Sequence, residues 1–193
     1  MMAGHTHVLS AAEAAAFDAQ LLNRLAAGDR DAISELYDRH AARVYSLAHH
    51  MLRNGSDAED VVQEVFSQAW RTAPSYRAER GSVIAWLLVM TRTRSIDRIR
   101  ARRGSEATLD AAGYQTIASD APPTADALIA REQAAGVRDA LTLLPEEQRR
   151  PLELAYFDGL SQTEIAEQLR TPLGTIKTRM RAALASLRRS LPR

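Results

Sequence analysis

The sequence predicts an all-α protein made of two small helical domains joined by a flexible acidic linker. Apolar residues recur at threes and fours through both halves, and no alternating stretch is long enough to claim a sheet. Between the halves, residues 104–126 break the pattern with Gly104, Gly113 and Pro122-Pro123, carrying four acids and no Lys or Arg. A length of 193 residues with 46% apolar content accommodates two small packed cores. The reading is therefore a loose N-terminal tail over 1–20, a domain over 21–103, a linker over 104–127 and a second domain over 128–193.

In the first block, Leu21, Leu22 and Leu25, then Ala32, Ile33, Leu36 and Tyr37, then Val44, Leu47, Ala48 and Met51 make helices with one buried stripe. Ala27-Gly28-Asp29 and Arg53-Asn54-Gly55-Ser56 separate them. A third helix starts near Asp57, capped by Ser56, with Asp57, Glu59 and Asp60 at the positive end of its dipole, and ends before Pro74. The fourth starts at Ser82 and runs through Trp86, Leu87, Met90, Ile96 and Ile99 toward Arg103. The spacing of Trp70 and Trp86 predicts that both lie in the core rather than on a stacking surface.

A net charge of +1 hides a segregation. Residues 1–70 carry five Arg against ten acids, whereas 86–103 and 161–193 are each net +5. Two separated basic zones point to two contacts with a polyanion.

Several functions are excluded on composition. With no cysteine there are no disulfides, thiolate zinc sites or iron–sulfur clusters. The longest apolar run, Val83 to Met90, is far short of a bilayer span, and the first twenty residues lack the pattern of a secretory signal, so a cytoplasmic protein is expected. Phosphate-binding and dinucleotide glycine patterns are missing. His40, His49 and His50 occupy amphipathic positions without a nucleophile motif beside them, and His5 and His7 on a tail do not make a metal site. No catalytic residue, metal, cofactor or small-molecule substrate is expected.

The most informative segment runs from Leu160 to Arg181. Ser161 and Glu164 form a capping box for a short helix whose buried face is Ile165, Ala166 and Leu169. Thr171 is expected to cap a second helix that opens at Pro172, with Arg170 in the turn where glycine is common. On that helix Leu173, Ile176, Met180, Leu184, Leu187 and Leu191 share one arc. Thr178 and Ala182 are central on the opposite arc, flanked by Thr175, Arg179, Arg181 and Arg189, with Lys177 nearer the core edge. A small centre ringed by Arg suits a major groove, where Arg reads guanine with two hydrogen bonds and Thr reaches base edges or a thymine methyl. A basic helix face is ordinarily just solvated; the capping box, short turn and early Pro make this one a helix-turn-helix. That motif alone does not separate an activator, a repressor and a polymerase subunit.

The first block supplies the distinction. Asp57-Ala58-Glu59-Asp60-Val61-Val62-Gln63-Glu64-Val65-Phe66 resembles the core-binding signature of sigma region two, and Trp86-Leu87 to Ile96-Asp97-Arg98-Ile99-Arg100 resembles the helix that follows it. Leu144-Pro145-Glu146-Glu147-Gln148, Leu160-Ser161 to Ile165-Ala166, and Pro172 to Arg179 resemble sigma region four of the extracytoplasmic-function family. All three occur in family order over roughly residues 21–191.

The resemblance implies a first domain that docks on the clamp helices of the polymerase β′ subunit through Asp57, Glu59, Asp60, Gln63 and Phe66, with Phe66 as apolar anchor. It implies capture of a single-stranded minus-ten element by Arg77, Arg80, Ser82, Arg92, Thr93, Arg94, Asp97, Arg98 and Arg100. Thr93 stands where relatives often carry Asn. The second domain, with the β flap as a further partner, implies duplex minus-thirty-five recognition by Thr175, Lys177, Thr178, Arg179, Arg181 and Ala182. Members of this family are usually held by an anti-sigma factor, often membrane-anchored. Two other classes stand beside this reading: a stand-alone helix-turn-helix regulator, for which no dimerisation heptad is present, and a protein-binding helical adaptor, against which the two basic zones argue.

Overall fold

The computed structural model describes residues 10–106 and 141–190. Among them are seven α-helices and no strand: α1 (Ala11–Ala26), α2 (Asp31–Leu52), α3 (Gly55–Thr72), α4 (Val83–Glu106), α5 (Glu146–Tyr156), α6 (Gln162–Gln168) and α7 (Leu173–Ser190). None of the described helices is long and apolar enough to cross a membrane. The chain divides into two compact units, the first of residues 1–48 and 56–94, the second of 49–55 and 95–193.

In the first unit α1 begins on a capping box. Ser10 Oγ accepts from the Glu13 N–H, and the Glu13 carboxylate accepts from the Ser10 N–H at 2.8 Å. The reading of residues 1–20 as a loose tail is thus corrected over its second half, which is helical because the cap satisfies end groups and Leu21, Leu22 and Leu25 anchor the helix in the core. Residues 1–9 lie outside the described ones.

Gly28, at φ +94°, permits the turn into α2. Asp29 then accepts from the Asp31 N–H at 3.0 Å and holds the α2 start. The α1–α2 pair is also tied in its interior. Asp18 accepts from Arg39 Nε at 2.8 Å and faces His40 Nε2 at 2.9 Å, with Asp18 and His40 both buried. Burial alone would raise the Asp18 pKa, but the hydrogen bonds and charges of His40 and Arg39 outweigh it and hold the carboxyl below its ordinary value.

The third helix starts at Gly55, two residues earlier than the Asp57 expected, and buries Ala58, Val61, Val62, Val65, Phe66 and Ala69 along one stripe. Ser82 is the cap of α4 rather than its first residue, its Oγ accepting from the Ala85 N–H at 3.3 Å. That helix also runs past Arg103 to Glu106, so the expected linker starts later; its remainder, 107–127, lies outside the described residues.

In the second unit Leu154, Ile165, Ala166 and Ile176 form the core, with Leu160, Leu169, Leu173 and Met180 packed on it. The foreseen capping box is present, Ser161 N–H donating to Glu164 Oε2 at 2.6 Å and Ser161 Oγ accepting from the Glu164 N–H. These bonds, with Arg103 and Arg100 adding their charge, hold the Glu164 carboxyl below its usual value.

One detail of the turn differs from expectation, and the position of Arg170 accords with it. Thr171 does not cap the next helix; its hydroxyl donates back to the Leu169 carbonyl at 3.0 Å, and the Pro172 carbonyl accepts from the Thr175 and Ile176 N–H groups of α7. Arg170 takes φ +47°, the left-handed conformation for which glycine is suited. The apolar arc of α7 also fades along its length, since Leu184 is exposed while Ile176 and Ala183 are buried.

Candidate nucleic-acid and partner interfaces

On the first unit, α3 turns Glu59, Asp60 and Gln63 to solvent, while Asp57 is half-buried. Phe66 is not the exposed anchor expected of it. It is 4% exposed because the Tyr37 ring of α2 covers it, the two centroids 4.9 Å apart. Tyr37 is the exposed aromatic of that pair, at 45%. A groove runs between α2 and α3, lined by Tyr37, Ala41 and Tyr45 on one wall and Glu59, Val62 and Gln63 on the other. Its apolar floor and acidic edge fit a partner helix carrying basic and apolar side chains. The Tyr37-Ala41-Tyr45 stripe, at i, i+4 and i+8, was readable as one helix face but not as a surface. Trp70 also departs from expectation: it is 45% exposed rather than core.

After α3 the chain makes two short 3-10 turns, Ala73–Ser75 and Ala78–Arg80. Tyr76 closes the loop, donating its hydroxyl to the Gly81 carbonyl at 2.9 Å and packing on Trp86, which is half-buried. Burial raises the Tyr76 pKa, with the charges of Asp18 and Glu79 adding to it. Arg77 donates to the nearby Pro74 and Tyr76 carbonyls, and both Arg77 and Arg80 are exposed.

On α4, Arg94 folds onto α3, donating to Gln68 Oε1 at 2.9 Å with Glu64 3.9 Å away. The Thr93 hydroxyl donates to the Val89 carbonyl at 2.9 Å. Arg92 and Arg98 are half-buried and Asp97 is exposed. Arg100, in the second unit, reaches the Gly159 carbonyl at 3.5 Å, and Arg103 in the same unit donates to the Asp158 carbonyl at 3.0 Å. The structure thus puts these arginines on one helix but gives several of them protein partners, which the sequence could not reveal.

On α7, Thr175, Lys177, Thr178 and Arg181 are exposed, and Ala182 is half-buried beside them. Helical spacing gathers Thr175, Thr178, Arg179 and Ala182 on one arc, away from Leu173 and Met180, which pack on the core. The Thr178 hydroxyl donates to the Gly174 carbonyl at 3.0 Å, leaving its oxygen lone pairs and methyl for a ligand. Arg179 is half-buried and bonded at 2.9 Å to Glu147 of α5, a residue that sequence reasoning placed in a motif but gave no role. Periodicity within one helix carries no signal for a partner 32 positions away.

Two family models match the chain: Sigma-70 region 2 over residues 36–105, and Sigma-70, region 4 over 135–187. An ECF RNA polymerase sigma factor SigK of Mycobacterium ulcerans is 39% identical over 171 residues, covering 89% of this chain and 91% of the relative. The SigK of Mycobacterium bovis is 37% identical over the same length and coverage. Among solved structures, Rhodobacter sphaeroides SigE in complex with the anti-sigma ChrR shares 30% identity and covers 90% of this chain and 97% of that one, with a TM-score of 0.46. CnrH in complex with the cytosolic domain of CnrY shares 25% identity, covering 88% and 94%, with a TM-score of 0.42. With both family models matched in order and the SigK likeness running nearly end to end, this chain belongs to the sigma-70 family, among the extracytoplasmic-function RNA polymerase sigma factors.

Proposed function

We propose that this sigma factor binds core polymerase through the α2–α3 groove and reads its promoter through two elements, the loop with α4 and the outward face of α7. The observation that carries it is the α7 face: exposed Thr175, Lys177, Thr178 and Arg181 stand on the second helix of a capped helix-turn-helix whose other face is core.

Residues 11–106, which include α1 and all of α4, and 128–193 are the two functional modules, with 107–127 as tether. On the groove, Glu59, Asp60 and Gln63 with Asp57 supply polar contacts to the β′ clamp helices, and Tyr37 replaces Phe66 as the aromatic anchor. At the minus-ten element, Arg80 and Ser82 border the loop that receives an unstacked base, while Arg77, Arg92, Thr93, Arg94, Asp97, Arg98 and Arg100 line the approach. Several of these bonds must be exchanged for phosphate contacts on binding.

Binding energy drives strand opening, since capturing bases offsets a melting cost of about 0.6 to 2.2 kcal/mol per step. The chain supplies no chemistry of its own; the polymerase makes RNA. It acts in the cytoplasm, with an anti-sigma factor as its expected regulator.

Run-off transcription with purified bacterial core polymerase, on promoter fragments from the source genome, tests this. Start-site-specific transcripts that require the chain are expected. No transcript, together with tight duplex binding in the absence of polymerase, would establish a stand-alone regulator instead.

A further inference from the structure

We infer that Glu147 is a specificity-determining residue of the promoter-reading surface: it holds Arg179 and offsets its charge, so that α7 discriminates by base edges more than by phosphate attraction. This rests on the assignment of α7 as a DNA-reading helix.

The pair crosses from the first turn of α5 to the middle of α7, with Arg179 Nη2 donating to Glu147 Oε2 at 2.9 Å. Its side chains are 30% and 60% exposed for Arg179 and Glu147. An ion pair so open to water adds little to folding. Its effect lies in what it does to Arg179. The segment 161–193 is net +5, and non-specific affinity for DNA follows the number of phosphates such cations neutralise. A carboxylate bonded to one of them lowers that number. The cleft beside the pair is balanced in the same way, lined by Glu146, Glu147, Arg150 and Arg179.

Positioning follows from the same bond. One Nη is occupied, leaving Nε and the other Nη to donate to a ligand from a guanidinium already fixed in direction. Thr175 and Thr178 flank it on the helix, so an aimed Arg179 adds to their base contacts.

The test uses holoenzyme assembled from the full chain and bacterial core polymerase. Binding is measured against salt for two duplex probes, one with the mapped minus-thirty-five element and one with that element scrambled. Glu147→Gln should bind the scrambled probe about fivefold more tightly at physiological salt, with a salt slope steeper by about 1, and should lose discrimination between the probes. In an Arg179→Gln background the same substitution should change nothing, because Glu147 acts through Arg179. Thermal melting of Glu147→Gln should match the parent chain.

An equal change on both probes with an unaltered slope would overturn the inference. So would an effect that persists in the Arg179→Gln background, which would make Glu147 a generic negative charge. If the parent holoenzyme itself does not distinguish the probes, the assignment of α7 fails first, and the role of Glu147 with it.

Discussion

Asp18 and Glu147 each grip a basic side chain on another helix, and they differ in depth. Asp18 is 6% exposed and sits between Arg39 and His40, both within hydrogen-bonding distance. Glu147 stands in water, paired with Arg179 at 2.9 Å. Removing one member of a buried set strands the others without solvent, while removing one member of an exposed pair lets water replace it. The same bond type therefore secures the fold in the first unit and shapes a binding surface in the second.

The comparison breaks most directly at Asp18. Asp18→Ala should cost about 3 kcal/mol of stability in urea denaturation, since it leaves a buried His40 and part of Arg39 without their acceptor. A loss near zero would mean that depth is not what separates the two clusters. The pH dependence sharpens this. Because the folded-state pKa of Asp18 is depressed, the unfolded chain takes up the proton first as pH falls. The stabilisation is complete above the ordinary aspartate range and is lost below about pH 4, as pH drops through the folded value. Asp18→Asn should flatten that part of the acid-denaturation profile.

Smaller effects probe the second unit. Arg181, exposed and without an ion pair among the described residues, should give the cleaner specificity loss: Arg181→Ala costs about 1 to 3 kcal/mol at one base position in a binding series over substituted minus-thirty-five elements. Ser161→Ala should lower stability by about 1 kcal/mol by removing the cap of α6, read by thermal melting. Arg170→Gly should raise stability by less than about 1 kcal/mol, as glycine relieves the left-handed strain but loosens the unfolded chain. If the cap and turn substitutions outweigh Glu147→Gln in melting, the second unit is held by local geometry and its core rather than by charge.

These two clusters also mark the boundary of what could be read in advance. The helix-turn-helix was legible because its signals are local: Ser161 and Glu164 are three residues apart, and the buried face of α6 follows within one turn. The same Ser-x-x-Glu pattern occurs at Ser10 and Glu13, and it would have located α1 had its Ala-rich sequence not suggested a tail. Phe66 was correctly placed on α3, yet its burial depends on Tyr37, 29 positions earlier, which no pattern within α3 reports. Likewise the turn of Arg94 onto α3 is decided by the Gln68 amide, 26 positions away, which comes near only on folding. Charge was legible; which charges are already engaged was not.

Pro151 lies inside α5, four residues after Glu147, and has no N–H to give to the Glu147 carbonyl. The first turn of that helix is therefore held by fewer rungs than its end, where the Phe157 N–H meets the Glu153 carbonyl at 2.8 Å. Local opening should begin there, with the backbone protons of Gln148 to Arg150 trading for deuterium before those of Leu154 to Phe157. The residue that restrains Arg179 is thus mounted on a turn of its helix that lacks one backbone rung, and exchange there reports how firmly that mounting is held.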